Sequence, residues 1–201
     1  MKALFTALSL MTLVSFNGFA ATGKLVPGVY DIDPVHTRVS FLIDHFVISQ
    51  VEGRFNDVKG TFTLSEKVSD CKIDVTIPTA SLDTGVAKRD EHLKSADFLE
   101  ISKYPQMTFK SKKCSGKLED FKVTGDLTIK GVKKEVVLDG KYLGTVVDTW
   151  KNTRSAVRAS GKISRKDFNI LYADAIEAGP AVGDEVTINI ITEGIHQSKK
   201  K

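Results

Sequence analysis

Residues 121–130, FKVTGDLTIK, alternate apolar and polar side chains along most of their length. The apolar positions are Phe121, Val123, Leu127 and Ile129, and the polar positions between them are Lys122, Thr124, Asp126 and Thr128. Successive side chains of an extended chain point to opposite faces, so this period of two predicts a β-strand with one buried face and one wet face.

The same alternation recurs through most of the sequence, and helical periodicity is rare. The further predicted strands cover residues 29–32, 39–45, 54–63, 73–77, 107–111, 135–142, 155–163 and 186–190. An antiparallel sheet of about eight or nine such strands either stacks on a second sheet or closes on itself. Closure of about eight strands leaves an interior just wide enough for side chains or for one small ligand.

The one break in the strand pattern lies at residues 83–100. Thr84 is a residue type that caps helices, and we expect it to cap a short helix over residues 87–95. A further turn is expected at residues 97–99. Leu93 is the helix residue best placed to face the core.

The first residues have the pattern of a secretory signal peptide. Met1 and Lys2 give a positive start, and an apolar run follows at residues 3–16. The small residues Gly18 and Ala20 flank Phe19, as expected for a cleavage site after Ala20. The run is shorter than the roughly 20 residues that a membrane-spanning helix needs. We therefore expect residues 1–20 to be a signal peptide, residues 21–201 to form one domain that is not an integral membrane protein, and the periplasm to be its location.

The distribution of charge argues against a nucleic acid as partner. The net charge is +4, and loss of Lys2 with the signal peptide leaves 28 − 25 = +3. Apart from Lys199, Lys200 and Lys201 at the end of the chain, basic residues are interspersed with acidic ones and form no stripe. Such a surface lacks the basic footprint that nucleic-acid binding requires.

The two cysteines, Cys71 and Cys114, predict a disulfide, because an even number in an oxidising compartment favours pairing. The register creates a difficulty. If strands 73–77 and 107–111 pair with their odd-numbered residues inward, paired numbers have an even sum, whereas 71 and 114 have an odd sum. The bridge therefore requires a bulge or an irregular strand end, and we expect it near Lys112 and Lys113.

Motifs for metal binding and catalysis are missing from the sequence. The histidines are His36, His45, His92 and His196. No two of them have the i, i+2 spacing of a strand or the i, i+4 spacing of a helix that makes a local chelate. No G-x-S-x-G nucleophile motif is present either. We expect no metal, no catalytic residues and no cofactor other than a bound lipid.

Several longer motifs resemble, in chain order, those of the YceI-like family of periplasmic, lipocalin-like proteins. They are YDIDPVHTRVSF at 30–41 with IDH at 43–45, GRF at 53–55 with GTF at 60–62, RDEHLKSADFL at 89–99, KYPQMTF at 103–109, GDLTIKGV at 125–132 and KDFNI at 166–170. Together they cover almost all of the chain after the signal peptide. One departure is Thr37, where the family often has Ser.

The resemblance implies an eight-stranded antiparallel, lipocalin-like barrel with a short helix inserted between strands, open at one end. It also implies an interior that holds a polyisoprenoid, an isoprenoid quinone tail or a fatty-acid derivative, without catalysis. The residues expected to line the lipid come from the matched segments. They are Phe41, Ile43, Phe55, Phe62, Leu93, Phe98, Phe109 and Phe168.

A polar head group requires partners at the mouth of the barrel, and the matched motifs offer candidates. They are His36, Arg38, His45, Arg89 and His92, with Asp33 and Asp90 as orienting carboxylates. Arg89 can instead form a structural ion-pair network with Asp90 and Asp97 around the helix, and we favour that role.

Three functions stay open on the sequence alone. The preferred one is a carrier for a long apolar lipid. The second is a stress-response scaffold or partner-binding protein whose barrel is filled by its own side chains, because the inward Phe, Val, Ile and Leu residues are also ordinary core residues. The third is a cryptic enzyme. A homodimer is possible if the barrel leaves a strand edge exposed.

Overall fold

A computed structural model describes residues 23–176 and 179–198 of the chain. The predicted signal peptide, residues 1–20, and the terminal Lys199–Lys201 lie outside the described residues. Within these ranges, no helix has the length and apolar character needed to cross a bilayer.

Antiparallel strands make up most of the described chain. They are β1 (Gly28–Ile32), β2 (Arg38–His45), β3 (Ser49–Phe55), β4 (Lys59–Leu64), β5 (Ile73–Pro78), β6 (Leu82–Asp83), β7 (Gln106–Lys117), β8 (Asp120–Ile129), β9 (Val132–Val147), β10 (Thr153–Ser164), β11 (Ala175–Ile176), β12 (Gly179–Pro180) and β13 (Val182–His196). Helix α1 (Ala87–Lys94) follows β6, and 3-10 turns lie at Val68–Asp70, Thr79–Ser81 and Arg165–Phe168.

The strands close into a barrel in which strands that follow one another in the sequence lie side by side. β1 with β2, β3 with β4, and β5 with β6 act as three interrupted long strands. With β7, β8, β9, β10 and β13, they give a barrel of eight strands in the described part of the chain. The last strand, β13, pairs with β10 on one side and with β1 and β2 on the other, which closes the sheet. The predicted all-β, eight-stranded antiparallel barrel is confirmed, and closure removes the exposed edges of the walls.

Two local expectations require correction. The predicted strand at 54–63 is interrupted after Phe55, where Asn56 N–H donates to Ser81 O at 3.0 Å, and the chain resumes at Lys59. Helix α1 begins where it was expected, but Val86 occupies the cap position without a side-chain hydrogen bond. Thr84 lies too far before the helix to cap it. It donates through N–H and Oγ1 to the Asp90 carboxylate, at 2.9 and 2.6 Å.

The register explains how Cys71 reaches Cys114. Val75 pairs with Phe109, so paired positions of β5 and β7 sum to 184, which would place residue 71 opposite Lys113. The pairing of β7 with β8 shifts between Ser111 and Lys113, a bulge that moves the later residues of β7 by one position. The structure joins the two cysteines in a disulfide with a Cα separation of 6.0 Å, within the usual range.

Buried side chains form two clusters, one toward each end of the barrel. The cluster near the start of β1 and the end of β13 contains Tyr30, Phe62, Leu64, Phe109, Cys114, Phe121, Val123, Leu138, Tyr142 and Val157. The cluster near α1 contains Phe55, Leu82, Phe98, Met107, Ile129, Phe168 and Ile170. A space enclosed by the walls lies alongside both clusters, and it is the feature on which function depends.

Candidate functional site

An apolar cavity of about 670 Å³ runs inside the barrel and borders residues of both clusters. Its lining is mostly aliphatic and aromatic, and the polar side chains among the lining residues include several Thr and Ser hydroxyls as well as charged groups. This volume lies within the range of roughly 300–1,000 Å³ that is typical of small-molecule pockets.

All eight residues expected to line a lipid border this cavity. They are Phe41, Ile43, Phe55, Phe62, Leu93, Phe98, Phe109 and Phe168. Further lining residues include Val39, Ile77, Leu82, Met107, Leu127, Ile129, Ile163, Ile188 and Ile190. Most of these fall on the inward face of a predicted strand, so the period of two could have identified them. Ile170 and Tyr172 also line the cavity, but they lie after β10 in a segment without a periodic pattern.

The cavity stays open because four inward Phe rings lie against glycines of the barrel wall. The pairs are Phe41 with Gly53, Phe62 with Gly194, Phe109 with Gly125 and Phe121 with Gly140. In each pair, a Cβ atom on the glycine would overlap the ring. The missing side chains therefore give the rings room along the wall, and the rings do not need to meet at the barrel axis.

The end of the barrel near the start of β1 and the end of β13 is closed. Tyr30 is fully buried, stacks on Phe62 with ring centroids 5.3 Å apart, and donates its hydroxyl to Val26 O at 2.6 Å. Beside it, Tyr142 Oη lies 2.7 Å from Thr145 Oγ1, which in turn hydrogen-bonds Ser155 Oγ at 2.5 Å. Burial raises the pKa of Tyr142, so this hydroxyl chain stays neutral.

The opposite end is the mouth, formed by the β2–β3 hairpin, helix α1 and the segment after β10. Arg89 of α1 borders the cavity and donates from Nε to Thr84 Oγ1 at 2.8 Å and from Nη2 to Thr84 O at 2.9 Å. In the described chain, Arg89 makes no ion pair with Asp90 or Asp97, which corrects the expected ion-pair network. Thr84 connects Arg89 to Asp90, because it accepts from one and donates to the other.

Aromatic rings surround His92 at the same mouth. Its ring is nearly perpendicular to those of Phe98 and Tyr172, each with ring centroids 5.1 Å away, and Nε2 lies 3.0 Å from Asp97 Oδ2. His45 of the β2–β3 hairpin also borders the cavity, with its ring 3.9 Å from that of Phe46. His45, Arg89 and His92 therefore all lie at the mouth.

Arg165 fixes the segment that forms the far side of the mouth. The residue is only 4% exposed. Its guanidinium donates to Gly183 O and Ile170 O at 2.7 Å each, and lies 3.2 Å from Asp184. A buried guanidinium needs such partners for its N–H groups. The sequence signal for this role is weak, because Arg165 follows directly after a strand and belongs to no periodic pattern.

Asp33, His36 and Arg38 do not reach the mouth, which corrects their expected position. They lie where the chain leaves β1 and enters β2, and His36 and Arg38 border a separate groove on the outside of the barrel. The reason is register: Ile32 and Val39 point inward, whereas Arg38 precedes an inward residue and points outward.

Asp33 belongs to an ionic network on that outer surface. Its carboxylate accepts from His36 Nδ1 at 2.8 Å and from Val35 N at 3.0 Å, and it pairs with Arg154, which also pairs with Asp148 at 2.7 Å. Burial raises the pKa of Asp33, but the hydrogen bonds from Arg154, His36 and Val35 outweigh it and lower the pKa to about 2. These residues stabilise the join between β1 and β2.

The polar groups at the mouth form no metal centre. Among residues 23–176 and 179–198, no three His, Cys, Asp or Glu side chains come close enough to hold an ion. What the arrangement offers is a largely apolar tube with a cationic guanidinium at its opening.

Comparisons with known proteins agree with this fold. Protein YceI of Escherichia coli O17:K52:H18 is 43% identical over 193 residues, which cover 94% of this chain and 98% of the relative. A crystal structure of a Campylobacter jejuni YceI protein superposes with a TM-score of 0.66 at 28% identity, covering 96% of this chain and 100% of that one.

A more distant likeness concerns the fold alone. It is the structure of a polyisoprenoid binding domain from Saccharophagus degradans, with a TM-score of 0.61 at 16% identity, covering 83% of this chain and 98% of that one. The family model for the YceI-like domain matches residues 30–193 of the sequence. This range extends from β1 to β13 and includes the residues that line the cavity. The chain therefore belongs to the YceI-like family.

Proposed function

We propose that this protein binds one long apolar lipid in the barrel and carries it through the periplasm. The observation that carries the proposal is the cavity of about 670 Å³, lined by aliphatic and aromatic side chains and open at one end. A hydrocarbon tail offers nothing to hydrogen-bond, so only a dry, apolar enclosure binds it well. Each buried CH₂ group contributes roughly 0.8 kcal/mol.

The related fold named as a polyisoprenoid binding domain supports an isoprenoid chain as the class of ligand. The lining also suits such a chain, because methyl branches pack between Val, Leu and Ile side chains as readily as between Phe rings. A quinone with an isoprenoid tail or a fatty-acid derivative fits the same description. The chemistry shared by these ligands is a long tail with a small head group.

The mouth supplies a partner for that head group. Arg89 uses Nε and Nη2 to hold Thr84, and within the described chain its Nη1 makes no hydrogen bond. A guanidinium N–H directed at a phosphate or a carbonyl forms a strong, charge-assisted hydrogen bond. In this proposal Arg89 both holds the start of α1 and meets the head group, with His92 beside it.

Carriage through the periplasm rests on the sequence. A signal peptide at residues 1–20 would export the chain, and a disulfide between Cys71 and Cys114 suits an oxidising compartment. A lipid that leaves one membrane needs such a shield to cross water. The alternative of a barrel filled by its own side chains does not agree with the open cavity.

Native mass spectrometry of the protein purified from its own host without detergent tests the proposal. We expect one lipid per chain, released as a long-tailed species on denaturation. A protein that is quantitatively empty, and that takes up no polyprenol or long-chain quinone delivered from detergent micelles, would refute the binding function. A filled cavity with no exchange between vesicles would refute the carrier role alone.

A further inference from the structure

The β2–β3 hairpin ends in three apolar residues that project into solvent. Phe46 is 37% exposed, Val47 is 60% exposed and Ile48 is 87% exposed. These residues, 46–48, are named the apolar tip below. Single exposed apolar residues are common, but three in a row at the end of a hairpin are not explained by the fold.

The residue types in the apolar tip are unusual for its backbone conformation. Phe46 has φ +49° and Val47 has φ +63°, so both residues are in the left-handed region. Tight hairpin turns with two such residues favour Asn-Gly or Asp-Gly, because left-handed geometry costs other residues about 1–2 kcal/mol each. For β-branched Val47 the conformation is unusual. Backbone conformations of this kind persist where the surrounding structure holds them, and they cluster at functional sites.

The surrounding structure holds the apolar tip in this conformation. Phe46 N–H donates to Ala181 O at 3.0 Å, and Ile48 N–H donates to His45 O at 3.3 Å. Val47 lies against Gly179 of β12, where an added Cβ would be 3.2 Å from Val47 Cγ2. The hairpin is thus attached to the segment after β10, which forms the other side of the mouth.

The apolar tip is continuous with the cavity. Phe46 is partly exposed and also borders the cavity, so apolar surface extends from the interior to the outside at this point. Two more exposed apolar residues lie at the same end of the barrel. Val86, 47% exposed, precedes α1, and Leu171, 60% exposed, lies between cavity-lining Ile170 and Tyr172.

We propose that the apolar tip inserts into the surface of a lipid bilayer and docks the mouth there for loading and release. This inference rests on the proposed function, because a lipid whose tail is insoluble in water must enter from a membrane. The charges nearby have both signs, such as Lys88, Glu91 and Lys94 on α1 and Lys166 beside Asp167. The docking is therefore hydrophobic, and it does not require anionic lipid.

Flotation with phosphatidylcholine vesicles tests the docking. The tip variant carries Val47→Gly and Ile48→Ser, neither of which borders the cavity. The matched control carries Val146→Ser and Val147→Ser, which remove apolar groups that are 52% and 68% exposed at the closed end. A second assay follows uptake of a fluorescent polyprenol, either from the vesicles or from detergent micelles.

We expect the tip variant to bind vesicles and to take up polyprenol from them at least about tenfold more weakly than wild type, since it loses the burial of two aliphatic side chains. Uptake from micelles should match wild type, and the control should behave as wild type throughout. The tip variant should also have a higher Tm, because Gly relieves the strain at position 47. This rise separates a functional tip from a merely structural one.

Three results would overturn the docking proposal. The first is that the tip variant binds vesicles as wild type does. The second is that wild type binds only vesicles with anionic lipid. The third is that the tip joins two copies of the chain in solution and its substitution leaves vesicle binding unchanged. Failure of the proposed function has another signature: no form of the protein takes up polyprenol from micelles, whatever the flotation result.

Discussion

The ring of Phe121 lies against Gly140, its direct partner across β8 and β9, so closely that a Cβ atom on Gly140 would be 2.5 Å from Phe121 Cζ. Phe41 has the same relationship to its register partner Gly53. These close approaches keep large rings along the wall and leave the barrel axis free. The open cavity thus depends on the glycines as much as on the apolar residues.

Gly140→Ala should therefore damage both stability and binding. The three atoms nearest to the added methyl group all belong to the Phe121 ring, which must turn toward the cavity. We expect a loss of about 1–3 kcal/mol in the free energy of unfolding, measured with urea, and a lower lipid content by mass spectrometry. Adding Phe121→Leu should restore part of the stability, because the shorter side chain leaves room for the methyl group. Equal losses in the single and double variants would contradict this account.

Filling the cavity should abolish lipid binding and leave the fold intact. Ile188→Trp introduces a larger ring at an inward position of β13 that borders the cavity. The matched control is Asn189→Trp, the exposed neighbour on the outer face. We expect both variants to keep the circular dichroism of a β-protein and only Ile188→Trp to be purified without lipid. Normal lipid content in Ile188→Trp would place the ligand elsewhere.

Arg89→Ala separates the head-group role of Arg89 from its structural role. If Nη1 meets the head group, affinity should fall about tenfold or more for a polyprenyl phosphate and little for the polyprenol with the same tail. The measurement is competition against a fluorescent lipid. Thr84→Val is the comparison, because it removes a hydroxyl that Arg89 and Asp90 share. A loss of equal size for both lipids would assign Arg89 only to the support of α1.

The ionic network around Arg154 predicts a loss of stability in acid. The Asp148 carboxyl is also affected: burial raises its pKa, but hydrogen bonds from Arg154, Asn152 and Trp150 outweigh this and lower it to about 2. The pKa values of Asp33 and Asp148 therefore lie below their usual 3.8. Carboxyls with lowered pKa values stabilise the folded state fully above pH 3.8, and this contribution is lost as the pH falls through about 2.

Urea unfolding at pH 7, 4, 3 and 2 measures this effect. We expect the free energy of unfolding to decline most between pH 3.8 and about pH 2. We also expect Arg154→Met to be less stable at pH 7 by about 1.5–3 kcal/mol. The decline in Arg154→Met should be smaller, because without their main cation the pKa values of Asp33 and Asp148 in the folded state move back toward 3.8. An identical pH profile in both proteins would exclude the network as the cause.

Removal of the disulfide should lower stability without opening the mouth. The bridge spans 43 residues, and a loop of that length stabilises a protein by roughly 2–5 kcal/mol, mainly by restricting the unfolded chain. Cys71→Ala with Cys114→Ala should therefore unfold at lower urea concentration. Lipid content should be unchanged, because the bridge lies near the closed end. Loss of lipid in a variant that remains folded would contradict this placement.

Much of the architecture could be predicted from the residues because a period of two leaves few alternatives. Alternation along FKVTGDLTIK and its counterparts gives each strand one apolar face, and about eight such strands can close on themselves. The same parity required an irregularity near Lys112 if Cys71 was to meet Cys114, and the register shifts there. It also assigned Phe41, Phe109 and their counterparts to the interior, where they border the cavity.

Tertiary structure alone decided whether that interior was filled or open. Alternation determines which side of a strand a ring occupies, but the direction of the ring depends on what stands opposite, and this follows from register between strands distant in sequence. Gly140 leaves room for Phe121 only because β8 and β9 pair as they do. For the same reason the chain places Asp33, His36 and Arg38 outside the barrel, while Tyr172, from a segment without a period, comes to its mouth.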